Sequence, residues 1–220
     1  MMTPKKIIDC LTDLSFENTF NPYVDFCETF DYPNAPQQRR ALLLAILQSA
    51  AKTQVDALWI GRDLGYRGGR RTGLALTDDA HMQAHAKRWG IEVERPTKGA
   101  AVKERTATVI WELLQQIEAP IFLWNVFPLH PHKPFQPFSN RNHNSEERKI
   151  GEDILLMLIS LMSPRRIVAI GTDAAESARK ITDVEVISVR HPSYGGQNEF
   201  IAGVRNLYSL PSSPNLELQL

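Results

Sequence analysis

The sequence predicts an α/β protein, three layers αβα around a central, mainly parallel sheet of four strands. Two observations carry this reading. Short apolar runs alternate with longer segments whose apolar residues recur at helical spacing, the pattern of strands joined by helical crossovers. Each apolar run then gives way to a polar loop, beginning at Gly61, Asn125, Gly171 and Arg190. In such folds the loops at the carboxyl ends of the strands build the site.

The elements follow in order. Segment 38–52 reads as a helix because Leu42, Leu43, Ile46 and Leu47 fall on one face. Ala57-Leu58-Trp59-Ile60 is a buried strand, followed by a Gly- and Arg-rich loop over 61–77. Segment 103–117 is an amphipathic helix through Val109, Ile110, Leu113, Leu114 and Ile117, and 120–124 is the second strand. Ser145 opens a helix with Glu146 and Glu147 in its first turn, where carboxylates face the positive end of the helix dipole, and it runs to about residue 162. The third strand is 166–170, with a helix to about 181. The fourth, 184–189, delivers the chain to His191.

A length of 220 residues suits one compact domain over 1–220, with 1–40 as an N-terminal helical and loop extension. Apolar content of 43% and charged content of 23% are those of a soluble globular protein. No run approaches membrane-spanning length, and Met1-Met2-Thr3-Pro4-Lys5-Lys6 does not open a secretory signal. Cys10 and Cys27 supply neither a disulfide framework nor zinc spacing, so they read as thiols of a cytoplasmic protein. His130-Pro131-His132 resembles half a metal site, but without a third ligand these read as surface or loop histidines, and no metal is expected. The net charge is zero, so bulk charge does not point to nucleic acid. Two basic stretches do: Arg62, Arg67, Arg70 and Arg71, and Lys133, Arg141, His143, Arg148 and Lys149. Acids gather at Asp78-Asp79, Glu92, Glu94 and the C-terminal tail. Each basic stretch is either a phosphate-binding face or a solvated one.

Three loops carry unusual chemistry. Gly61-Arg62-Asp63-Leu64-Gly65-Tyr66-Arg67-Gly68-Gly69 lacks both G-x-x-x-x-G-K-[ST] and G-x-G-x-x-G, which excludes the usual phosphate loops. It places a carboxylate, Asp63, just past a strand end, to orient a water or meet positive charge, or else to form a turn or a cap. Asn125 offers a donor and an acceptor, which match a base edge, or it caps a strand end. His191-Pro192-Ser193-Tyr194-Gly195-Gly196 presents a histidine to an oxygen gaining charge, or holds it in a Pro-fixed turn, and Tyr194 suits stacking on bases or wedging between them.

Together these loops resemble the uracil-DNA glycosylase superfamily, in motif form most like its single-strand-selective monofunctional uracil glycosylases. The pattern G-x-N-P-G-x-x-G-x-x-x-T-G is matched by Gly61, Asp63, Gly65, Gly68, Thr72 and Gly73. An Asn shortly before C-P-L is matched by Asn125 before Phe127-Pro128-Leu129, and H-P-S by His191-Pro192-Ser193. The likeness spans about 57–208.

The resemblance implies hydrolysis of a base–sugar bond in a nucleotide flipped from the stack, leaving an abasic site. It implies Asp63 and His191 as catalytic residues, with Asp63 where the subgroup has Asn and other uracil enzymes an Asp that positions water. Asn125 would read the base, and Gly61 and Arg62 would contact it. DNA contacts would come from Arg67, Arg70, Arg71, Ser193, Tyr194, Gly195 and Gly196. The partner implied is DNA, bound by a monomer. No cofactor is implied, because the iron–sulfur branch needs four cysteines and this chain has two.

The sequence departs from the pattern at Leu64, at Ala75-Leu76 in place of P-F, and at Tyr194-Gly195-Gly196 in the wedge. The aromatic that stacks on uracil is thus missing, and Trp124 or Tyr66 is the expected replacement. A modified or damaged base then stands beside uracil as substrate. The second functional reading is a catalytically silent nucleic-acid-binding module of the same fold.

Overall fold

The computed structural model describes residues 2–211. The chain runs α1 (Pro4–Thr12), β1 (Thr19–Phe20), α2 (Ala35–Ala50), β2 (Ala57–Asp63), α3 (Gly69–Thr72), α4 (Met82–Arg88) and α5 (Arg105–Leu114). It continues with β3 (Ile121–Phe127), β4 (His130–Pro131), α6 (Ser145–Met162), β5 (Arg166–Ile170), α7 (Thr172–Ile181), β6 (Val186–Val189) and α8 (Gln197–Tyr208). The acidic tail lies mostly outside the described residues.

The four apolar runs form one parallel sheet in the order β3-β2-β5-β6, and β1 pairs with β4 in a separate antiparallel ladder. Alternation divides the sheet's side chains between two cores. Leu58, Ile60, Phe122, Trp124, Ile167 and Ala169 meet α1, α2, α6 and α7 on one face. Ala57, Trp59, Ile121, Leu123, Val168 and Ile170 meet α5 and α8 on the other. These are the two helical layers. Strand order reverses around β2, with β3 on one side and β5 on the other, and the crevice at such a reversal is where ligands bind in open α/β sheets.

Two strands run past their expected ends. β2 continues through Gly61 to Asp63, and β3 through Asn125 to Phe127, because the ladder pairs Gly61 with Asn125 and Asp63 with Phe127. The glycine that was expected to start a loop is therefore a strand residue. The helices α3, α4 and α8 and the β1–β4 ladder add to the expected elements, and α1 falls within the expected N-terminal helical and loop extension.

The N-terminal residues pack rather than cover a pocket. Asn21 donates to the carbonyls of Leu11 and Leu14, and the Tyr23 hydroxyl donates to the Gly73 carbonyl at 2.8 Å. A buried Arg39–Asp31 ion pair and an Arg39 bond to the Arg71 carbonyl at 2.8 Å tie α2 to α3.

α6 is fixed at its start by a capping box. The Asn144 side chain accepts from the Glu147 amide, and the Glu147 side chain accepts from the Asn144 amide.

Candidate active site

At the carboxyl ends of β2, β3, β5 and β6 lies a cavity of about 430 Å3. Gly61, Arg62, Asp63, Asn125, His191, Ser193 and Tyr194 all line it. Gly61 makes room for its strand neighbour: a Cβ there would lie 2.6 Å from Asn125 Oδ1 and 2.9 Å from Leu76 Cδ2. The Asn125 side chain is 1% exposed, and neither its Oδ1 nor its Nδ2 has a partner among the described residues. A buried amide left unpaired costs about 1–3 kcal/mol, and this one lies at the cavity wall.

Asp63 is nearly buried and held on both oxygens. Arg62 Nε donates to Oδ2 at 2.7 Å, and His143 Nδ1 is bonded to Oδ1. Arg62 also reaches Asp173 on α7 at 3.3 Å, so one guanidinium links β2 to the loop after β5. The arginine's own pKa is raised by these two carboxylates, against the opposing effect of burial.

His191 accepts the Ser193 amide proton on Nδ1 at 3.1 Å. Its proton is therefore on Nε2, the ring's remaining donor. Burial holds the imidazole below its ordinary pKa, and the charges of Arg62 and Arg190 push the same way. The ring is thus a neutral donor. Tyr194 beside it is fully exposed with φ 54°, and Gly195 and Gly196 follow in the turn into α8 without lining the cavity.

Four expected site residues lie elsewhere. Arg70 and Arg71 are buried and present no guanidinium to a phosphate. Arg70 stacks 3.7 Å from the Phe20 ring and meets His130 Nδ1 at 3.1 Å, while Arg71 stacks 4.2 Å from Phe30 and donates to Asp79 at 2.7 Å. Trp124 belongs to the core on the opposite face from Asn125, as consecutive strand residues must. Tyr66 lies outside the cavity lining, under the Arg67 guanidinium, so neither aromatic replaces the missing stacking ring. That wall is Leu76, held at φ 55°. His130 is interior rather than on the surface, with Nε2 donating to the Ser139 carbonyl at 2.8 Å.

The cavity also contains or abuts residues that sequence reasoning passed over as site groups. The sequence shows His143 and Arg148 only as members of a basic stretch, yet His143 is bonded to Asp63 and Arg148 donates to His143 from behind. Glu104, at the start of α5, lines the cavity, with its carboxyl lying against Gly65 and Gly68. Burial pushes this carboxyl up to about 7, with the Asp78 charge adding to the shift and Arg67 opposing it. Among the described residues no group of three His, Cys, Asp or Glu side chains is arranged to hold a metal ion. No helix among them is long and apolar enough to cross a membrane.

No curated protein matches the sequence significantly. Among solved structures, the crystal structure of wild-type Pedobacter heparinus SMUG2 superposes with a TM-score of 0.63 at 17% identity, covering 95% of this chain and 97% of that one. This likeness concerns the fold, the three-layer αβα arrangement around a four-stranded parallel sheet. The sequence profile of the Uracil DNA glycosylase superfamily matches residues 50–206, which include Gly61, Asp63, Asn125 and His191. With its motifs gathered on one cavity and more than half its length matched, the chain belongs to the uracil DNA glycosylase superfamily.

Proposed function

We propose that the protein is a monofunctional DNA glycosylase that hydrolyses the N-glycosidic bond of a flipped uracil or a related modified or damaged base, leaving an abasic site. One observation carries the reading. A carboxylate, an unpartnered buried amide and a neutral imidazole donor converge on the same cavity. The amide of Asn125 reads the base edge with one donor and one acceptor. As the bond between C1′ and the base nitrogen lengthens, positive charge grows on the sugar and negative charge on the base. Asp63 meets the first, and the Nε2–H of His191 meets the second. A water oxygen then bonds to C1′, its proton passes to Asp63, and the base departs with the electron pair of the broken bond.

Tyr194, exposed on the cavity rim, fills the space left by the flipped nucleotide, with Ser193, Gly195 and Gly196 in the same loop against the strand. Arg67 is exposed, unlike Arg70 and Arg71, which supports it as the phosphate contact of the first basic stretch. The wall formed by Leu76 supports a pocket that accepts bases beyond uracil.

The test is base release from oligonucleotides carrying uracil, hypoxanthine, mismatched or modified bases, single- and double-stranded. Asp63→Ala and His191→Ala should each lower release by about 100- to 1000-fold. Tight binding with no base released at any enzyme concentration would favour the silent binding module.

A further inference from the structure

Beyond the groups that line the cavity, we infer that His143 and Arg148 form a positioning relay behind Asp63, which fixes the imidazole tautomer and so the orientation and charge of the carboxylate. The inference rests on the proposed role of Asp63, but its structural half can be tested without activity. His143 Nδ1 is bonded to Asp63 Oδ1, and Arg148 Nε donates to His143 Nε2 at 3.2 Å. A guanidinium has donors only, so Nε2 must accept, and the ring proton must sit on Nδ1, directed at the carboxylate. A second proton on the ring would set an N–H against a guanidinium. His143 is therefore a fixed donor to Asp63 and not a proton acceptor in the reaction.

The surroundings hold that arrangement. The imidazole side chain is 1% exposed and packs at 6.2 Å, centroid to centroid, from the Phe127 ring of β3. The next residue, Asn144, caps α6, and Arg148 lies in the first turns of that helix. Arg141, just upstream, is tied by two bonds to Glu147.

The charged groups facing Asp63 are Arg62 from its own strand, Arg141 from the segment before α6, and the His143–Arg148 pair. With one donor on each carboxylate oxygen, each oxygen keeps a lone pair for water or sugar. The sequence separation of 80 between Asp63 and His143 explains why this pairing is not visible in the sequence, where the stretch reads as a phosphate-binding or a solvated face.

Three variants and one spectrum test the relay. His143→Leu removes the donor at similar volume, whereas His143→Asn keeps an amide N–H near the Nδ1 position. His143→Leu should lower kcat by about 10- to 100-fold, the effect of one charge-assisted hydrogen bond, with KM little changed. His143→Asn should recover most of that loss. Arg148→Leu frees Nε2 from its donor, lets the ring proton leave Nδ1, and should lower kcat with KM little changed.

If activity falls only with the folded fraction and Asn rescues no better than Leu, His143 is merely structural and the relay is wrong. In the wild-type protein, 15N spectra of the histidine rings should show His143 protonated on Nδ1 and bare on Nε2 around neutral pH. A proton on Nε2 overturns the relay even if every variant folds poorly. If the wild type releases no base at all, the kinetic arm reports failure of the glycosylase reading, and the spectrum alone decides the relay.

Discussion

Gly151 lies in α6 with its Cα against the backbone of β3. A Cβ added there would sit 2.1 Å from the Val126 carbonyl oxygen, 3.0 Å from Val126 C and 3.2 Å from Phe127 Cα. These are backbone atoms of a central element and cannot rotate aside, so Gly151→Ala must push α6 off the sheet by about 1 Å. Overpacking of this kind costs about 1–3 kcal/mol, and the severity of the overlap places this case at the upper end. Alanine returns up to about 1 kcal/mol in helix propensity, leaving a net loss of about 2 kcal/mol. For a chain of this size that lowers Tm by about 4–8 °C, measurable by calorimetry or circular dichroism.

Arg148 lies about one turn before Gly151 on the same helix, so the shift also separates Arg148 and His143 from Asp63. Base release measured on fully folded Gly151→Ala should therefore fall as well. Gly203→Ala in α8 is the control. Its Cβ would lie 3.6 Å from Val189 Cγ1, an ordinary contact, so stability should hold or rise by up to about 1 kcal/mol. A Gly151→Ala protein that melts with or above the wild type would refute the argument.

Three further outcomes follow from buried polar groups. Asn125→Ala removes an amide without a protein partner, so thermal stability should hold or rise while base release drops about 100-fold or more; a parallel loss of both would contradict the reading. The folded chain keeps a proton on Glu104 up to about pH 7, whereas the free side chain loses it near 4.5, so this residue lowers stability progressively as pH rises between those values. Glu104→Gln should thus be more stable than wild type at pH 8 by about 3 kcal/mol and equal to it at pH 4, which denaturant titrations at the two pH values would check. Burial pushes His85 and His130 down to about 3, so the folded protein excludes protons that both rings take up when unfolded below about pH 6.5. Stability should be full above that pH and fall below it by up to about 1.4 kcal/mol per pH unit for each ring; in the Glu104→Gln background, free of the opposing carboxyl, flat stability from pH 7 to 5 would rule this out.

The sheet was legible because β2, β3 and β5 carry apolar side chains on both faces, whereas β6 is partly exposed and more weakly marked. The strand ends were not legible, since Gly61 and Asp63 have little strand character of their own and are held extended by pairing with β3. Asn125 and Trp124 carry a different lesson. Alternation along a strand puts their side chains on opposite faces, and it is packing against the helical layer that assigns Trp124 to the core and leaves Asn125 at the cavity.

Arg70 and Arg71 could not be placed that way. Their burial depends on Phe20, Phe30, Asp79 and His130 arriving from other parts of the chain. His143 had one local signal, its position just before the capping pair Asn144 and Glu147, but its partner Asp63 is set by tertiary packing. α8 was open to reading, with Phe200 and Val204 at helical spacing.

The vacant amide of Asn125 has a practical consequence. Its donor and acceptor are already desolvated at the cavity wall, so under the proposed function a free nucleobase should engage them without DNA. A ligand that binds only the folded state raises stability by about 2.7 kcal/mol at one hundred times its Kd. Melting the protein against a small panel of free bases would therefore rank which one the cavity holds, before any oligonucleotide is synthesised. Under the proposed function the released base would also inhibit the next turnover, so product concentration becomes a variable to control in every rate measurement.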